Sequence, residues 1–169
     1  QRPDYLTRGT SMTQTKTESV WDYPRPPALE DCDSRVPIEF GGKAIVDSTS
    51  AKRVLETSHP PTYYVPAEDI QDGVLVASAR KSFCEYKGVA VYFDVVVGES
   101  TAKNAAWSYP NPTARFAAIR DHVAFYAQPM EKCFVGDELV EPQSGGFYGG
   151  WVTSKVTGPF KGAHGTEGW

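Results

Sequence analysis

Short runs of β-branched and aromatic residues, broken by glycine and proline, recur along the chain. Ile38 and Phe40 precede Gly41-Gly42, and Ala44-Ile45-Val46 follow. Two β-prone runs flanking Gly-Gly predict a tight hairpin over Val36 to Asp47. A second hairpin is predicted where Gly136-Asp137 separates Cys133-Phe134-Val135 from Glu138-Leu139-Val140. Thr62 to Val65 and Val74 to Ala77 read as strands. Ser82 to Tyr86 alternates, with Phe83 and Glu85 on opposite faces. Lys87-Gly88 then turns the chain into Val89 to Val97, the longest β-like run. There Val89, Val91, Phe93, Val95 and Val97 share one wholly apolar face, which predicts a sheet covered on that side. The other face carries Tyr92 and Asp94 and is expected to meet solvent or a cleft. Ala51 to Thr57 fits a strand or a helical turn equally well. Pro66 to Ile70 reads as a short helical turn opened by proline. The best helical stripe is Thr113 to Arg120, with Phe116 and Ile119 on one side. His122 to Tyr126 is again β-like.

Composition sharpens this pattern. Among 169 residues there are 15 glycines and 13 prolines, with nine tyrosines and four tryptophans. Glycine and proline break helix interiors, which excludes a helical bundle. The aromatics exclude general disorder. Three prolines in four positions, Pro24 to Pro27, favour extended chain. Gln1 to Thr17 is polar, lacks an apolar signal core, and reads as a flexible leader ahead of a single β domain over 18–169. The formal charge of −4 disfavours phosphate neutralisation, so no nucleic-acid partner is expected. No apolar run approaches the length of about 20 residues that spans a membrane. Cys32, Cys84 and Cys133 are odd in number and widely spaced. That argues against a disulfide framework and for a reducing, cytoplasmic setting.

Candidate chemistry is sparse. His59 lies in Ser-His-Pro-Pro, where the prolines fix its placement. Cys84, beside Lys87 in Cys-Glu-Tyr-Lys-Gly, reads either as a nucleophile or as a small buried apolar residue. The glycines around Phe147, Tyr148 and Trp151 lack the Gly-Lys-Ser/Thr of a phosphate loop and read as close backbone packing. His59, His122 and His164 are too scattered for a metal, and no cofactor is implied. The rings stand out. Tyr64, Tyr92, Trp107, Tyr109, Tyr126 and Trp151 exceed what an aliphatic core needs, and rings with a few fixed polar groups are a common way to build a pocket.

Several segments resemble one family. They are Glu18 to Pro27, Glu56 to Tyr64, Cys84 to Gly88, Ala106 to Pro110, His122 to Tyr126, Gly145 to Trp151 and Gly158 to Gly162. Their order resembles proteins carrying the domain of unknown function DUF427, over roughly residues 18–169. Tyr86 stands where that family usually has Trp, a swap that keeps a ring. The resemblance implies a mainly β, compact antiparallel sheet domain with one or two short helices. It is expected to be β-tent-like, similar to the ligand-binding domain of cereblon, or barrel-like. The zinc cysteines of that fold's relatives are missing, so no metal is carried over. A nucleotidyltransferase label is sometimes attached to the family. Such chemistry needs metal-binding carboxylates, and no Asp-x-Asp pair is present.

The leading expectation is therefore a small-molecule-binding β domain, its pocket an aromatic cage walled by Tyr64, Tyr92, Trp107, Tyr109, Tyr126 and Trp151, with His59 and Lys87 as polar groups and a small cyclic or cationic molecule as the ligand that suits such walls. The second is an enzyme using Cys84 or His59, with Lys87 holding an anionic substrate. The third is an interaction domain whose rings bury a partner or a second copy as a homodimer.

Overall fold

The computed structural model describes residues 16–169, so the leader expected over 1–17 lies almost wholly outside the described residues. Fifteen strands follow one another: β1 (Glu18–Ser19), β2 (Ala28–Asp31), β3 (Val36–Phe40), β4 (Lys43–Ser48), β5 (Lys52–Leu55), β6 (Thr62–Pro66), β7 (Leu75–Cys84) and β8 (Gly88–Val97). Then come β9 (Ser100–Ser108), β10 (His122–Phe125), β11 (Lys132–Val135), β12 (Glu138–Leu139), β13 (Glu141–Pro142), β14 (Trp151–Val152) and β15 (Val156–Thr157). Seven of them form an antiparallel sheet in the order β2-β5-β6-β10-β9-β8-β7. A four-stranded sheet, β12-β11-β3-β4, packs on one of its faces. The large sheet stays open, because β2 and β7 are unpaired edges. The barrel alternative therefore does not hold.

Both expected hairpins form. Gly41 and Gly42 take φ of 62° and 78° between β3 and β4, the left-handed pair that a two-residue hairpin requires. The ambiguous segment 51–57 becomes strand β5, because its Val54 and Leu55 find buried positions beside β2 and β6. The helix expected over 113–120 is instead a 3₁₀ segment, Ala114–Ile119, kinked at Phe116. Its length allows two short turns, enough to bury Phe116 and Ile119 and no more.

Two cores lie on opposite faces of the large sheet. Between the sheets sit Val36, Ile38 and Ile45 of the smaller one and Val65, Phe125 and Val95 of the larger. On the far face, Tyr64, Ala90, Tyr92, Trp107 and Ala124 pack against Phe116 and Ile119. A third cluster, Val20, Tyr23, Leu55 and Val156, joins the N-terminal segment to the C-terminal one, where β1 pairs parallel with β15.

Strand β8 belongs to both main cores, and here the one-sided expectation fails. Its odd face is buried only near Val95. At the other end Val89, opposite Phe83 in register, is exposed, while Ala90 and Tyr92 on the even face are buried. The smaller sheet covers only part of the larger. The uncovered end buries its other face instead. The registers of both neighbours shift beside Tyr92 to Asp94. Ser78 and Asp94 hold the irregularity: Ser78 Oγ bonds Asn104 Oδ1, and the Asn104 amide donates to Asp94 Oδ1 at 2.8 Å. Asn104 itself takes φ of 52°.

Candidate functional site

Sheet alternation builds the wall of a cavity on the far face. Tyr64 on β6 pairs with Ala124 on β10, Ala124 with Trp107 on β9, and Trp107 with Tyr92 on β8. One row across four strands thus reads large, small, large, large. The gap over Ala124 leaves room for the rings to lean together. Trp107 is the hub. Its ring centroid lies 4.6 Å from that of Tyr126 and 6.4 Å from those of Tyr64 and Tyr92. Tyr109 continues the wall 6.4 Å from Tyr64.

The rings line a half-open cavity of about 270 Å³. Tyr64, Tyr92, Trp107, Tyr109 and Tyr126 line it, together with His59, Cys84 and Lys87. Eight of the nine residues singled out in the sequence thus come together. The ninth, Trp151, does not. It is 1% exposed in the core between the sheets, stacks on Tyr63 at 5.2 Å and donates its indole N–H to the Phe125 carbonyl at 3.0 Å. Strand β14 turns that side chain inward, so Trp151 is a core residue and not a pocket wall.

The Gly-rich segment after β13 closes the cavity instead. A Cβ at Gly149 would collide with the Trp107 indole, and one at Gly150 with the Pro60 carbonyl. Gly149 therefore lets the backbone lie directly on the indole, and Gly150 lets it lie against Pro60. Tyr126 Oη donates to the Phe147 carbonyl at 2.7 Å and anchors the segment.

One end of the cavity is held by Gln143, which the sequence reading did not single out. Its only signal is spatial: it is 8% exposed and lies between Gly150, Lys161 and His59. The Gly150 amide donates to Gln143 Oε1 at 3.0 Å, which fixes which end of the side chain is oxygen. The amide nitrogen then donates to the Lys161 carbonyl at 2.8 Å and to His59 Nδ1 at 3.1 Å. Nδ1 is therefore an acceptor and the imidazole proton sits on Nε2. His59 is pushed down to about 4, chiefly by burial. The Glu56 carboxylate opposes the shift, while Lys161, Arg25 and Lys87 add to it. Protonating Nδ1 would also set two donors against each other at Gln143. Glu56, whose Oε2 is 3.9 Å from His59 Nε2, is itself paired with Arg25 at 3.1 Å.

At the other end, the turn 85–87 between β7 and β8 carries Lys87. The Lys87 amide donates to the Cys84 carbonyl, and its own carbonyl accepts from Thr113. Held this way, the side chain folds inward and is only 8% exposed. Nζ lies 3.3 Å from Cys84 Sγ and over the rings of Tyr109 and Phe116, at 5.6 and 5.8 Å. No carboxylate pairs with it among the described residues. Burial raises the phenols of Tyr64, Tyr109 and Tyr126 above their ordinary range, so these rings are neutral at physiological pH. All three cysteines are free, Cys84 half-buried and the others buried. Among the described residues no three His, Cys, Asp or Glu side chains gather as a metal site, and no helix is long and apolar enough to cross a membrane.

A family model described as a domain of unknown function (DUF427) matches residues 28–136. The match takes in the ring row, His59 and the Cys84–Lys87 turn. It ends before Gln143 and the Gly-rich segment. No curated protein matches the chain.

Proposed function

The chain belongs to the DUF427 family, and on that premise we propose that it binds a small planar molecule in the aromatic cavity. One observation carries this reading: five rings from strands and their flanking loops converge on a single half-open cavity. Flat rings offer matched faces to a flat ligand at little cost in conformational entropy, since each is already locked by its neighbours. At about 270 Å³ the space suits a ligand of one or two rings. The free thiols support a reducing compartment for it.

The test is a thermal-shift screen with planar mono- and bicyclic compounds, charged and uncharged, on the wild-type chain and on Trp107→Leu. Bound ligand raises Tm by mass action. The reading expects shifts that the variant, still folded by circular dichroism, loses. Unchanged Tm across the panel, or equal shifts in the variant, would overturn it.

A second reading, an enzyme with Cys84 as nucleophile, is favoured by the 3.3 Å contact between Lys87 Nζ and Cys84 Sγ. It requires that iodoacetamide alkylate Cys84 in the folded chain faster than an exposed model thiol at neutral pH. A slower rate removes it.

A further inference from the structure

We propose that Lys87 is the anion receptor of the cavity, so that its ligand is a planar aromatic carboxylate. The inference rests on the pocket reading above and adds the charge of what fills it. A cation more than nine-tenths buried costs free energy unless it is paired. Lys87 has a thiol and two ring faces for company, and no carboxylate. Two carboxylates line the cavity and neither pairs with Lys87: Glu56 is held by Arg25, and Glu85 on the same turn is exposed. The phenols around it are neutral. The missing counter-charge is supplied by the ligand.

The rest of the polar lining agrees. Gln143 occupies the lone pair of His59 Nδ1, which leaves His59 with a donor only, at Nε2. Lys161, a second cation on the lining, sits 5.2 Å over the Tyr148 ring. Rings grip the flat body of a ligand, and the cations face its acceptors. A cationic ligand would meet Lys87 and Lys161 with like charge, so the aromatic walls do not act here as a cage for ammonium groups.

The experiment pairs each planar carboxylate with its own carboxamide, 2-naphthoate with 2-naphthamide and benzoate with benzamide, titrated calorimetrically into the wild-type chain, Lys87→Met and Lys87→Arg. In the wild type the carboxylates bind at least tenfold more tightly than the matched amides, and the preference shrinks at high salt. In Lys87→Met the members of each pair become equal. Lys87→Arg keeps the preference, which separates the role of the charge from any effect of the methionine on folding. If wild type binds both members equally, or Lys87→Met still prefers carboxylates, the assignment of Lys87 falls while the pocket reading stands. If neither series binds at all, both fall.

Discussion

Lowering the pH tests the His59–Gln143 junction directly. His59 is 13% exposed at its side chain and is depressed from 6.5 to about 4. The unfolded chain therefore takes up a proton near pH 6.5 that the folded chain refuses until about pH 4. Between these values the unfolded state binds more protons, so stability falls as pH falls. The loss from this one group is about 2 kcal/mol by pH 5 and about 3 kcal/mol by pH 4, relative to pH 7.5. His122, also lowered by burial, acts in the same direction. The lowered carboxyls of Glu18, Asp31 and Asp47 lose their contribution only further into acid. The effect of His59 is isolated by comparison with His59→Asn, whose side-chain oxygen can accept from Gln143 without titrating. Urea unfolding is followed at pH 7.5, 6 and 5 for both proteins. The variant is expected to be the less stable at pH 7.5, and the gap is expected to close by about 2 kcal/mol at pH 5. Parallel losses in the two proteins would refute the reasoning, since the acid-sensitive group would then lie elsewhere.

Gly149→Ala forces a Cβ into the Trp107 indole, which Tyr64, Tyr92 and Tyr126 prevent from moving aside. Urea unfolding should show a loss of about 1–3 kcal/mol, as for other overpacked sites, and the ring cavity should lose affinity for any planar probe. Trp151→Phe removes the bond to the Phe125 carbonyl and part of the stack on Tyr63. It should cost about 2 kcal/mol in the same assay. It should leave probe binding unchanged, because Trp151 faces the core between the sheets; lost binding at intact fold would return it to the pocket.

The strands were legible where local chemistry sufficed. Gly41-Gly42 and Gly136-Asp137 announce their hairpins because two-residue turns need residues that tolerate positive φ. The rings were legible as a group because tyrosine and tryptophan exceed what a core of valine and isoleucine consumes. Their partition was not. Trp107 and Trp151 both sit among glycines, alanines and tyrosines in sequence, and only the pairing of β9 with β8 and β10, and of β14 with β13, turns one to the cavity and the other inward. The faces of β8 mislead for a related reason. Alternation shows that Val89 and Val95 share a face, but not that the second sheet stops short of Val89. Gln143 carries no local signal at all, since its role depends on Gly150, Lys161 and His59 meeting from three separate segments.

These contacts also separate the two residues first considered for catalysis. A general base needs a lone pair free to take a proton. His59 has one on Nδ1, and Gln143 covers it. The oxygen end of Gln143 is fixed by the Gly150 amide, and its second hydrogen by the Lys161 carbonyl. Freeing Nδ1 would thus break up the segment that closes the cavity. His59 in this arrangement is a donor and a structural tie, which leaves Cys84 as the residue that the second, enzymatic reading rests on. The thiol lies beside a buried cation that no carboxylate among the described residues pairs with. An anion seated on Lys87 would therefore arrive within reach of Sγ. Binding and reaction then become questions about the same few ångströms, separated by whether the bound molecule carries an electrophilic carbon. A carboxylate without one should occupy the cavity reversibly and shield Cys84 from iodoacetamide.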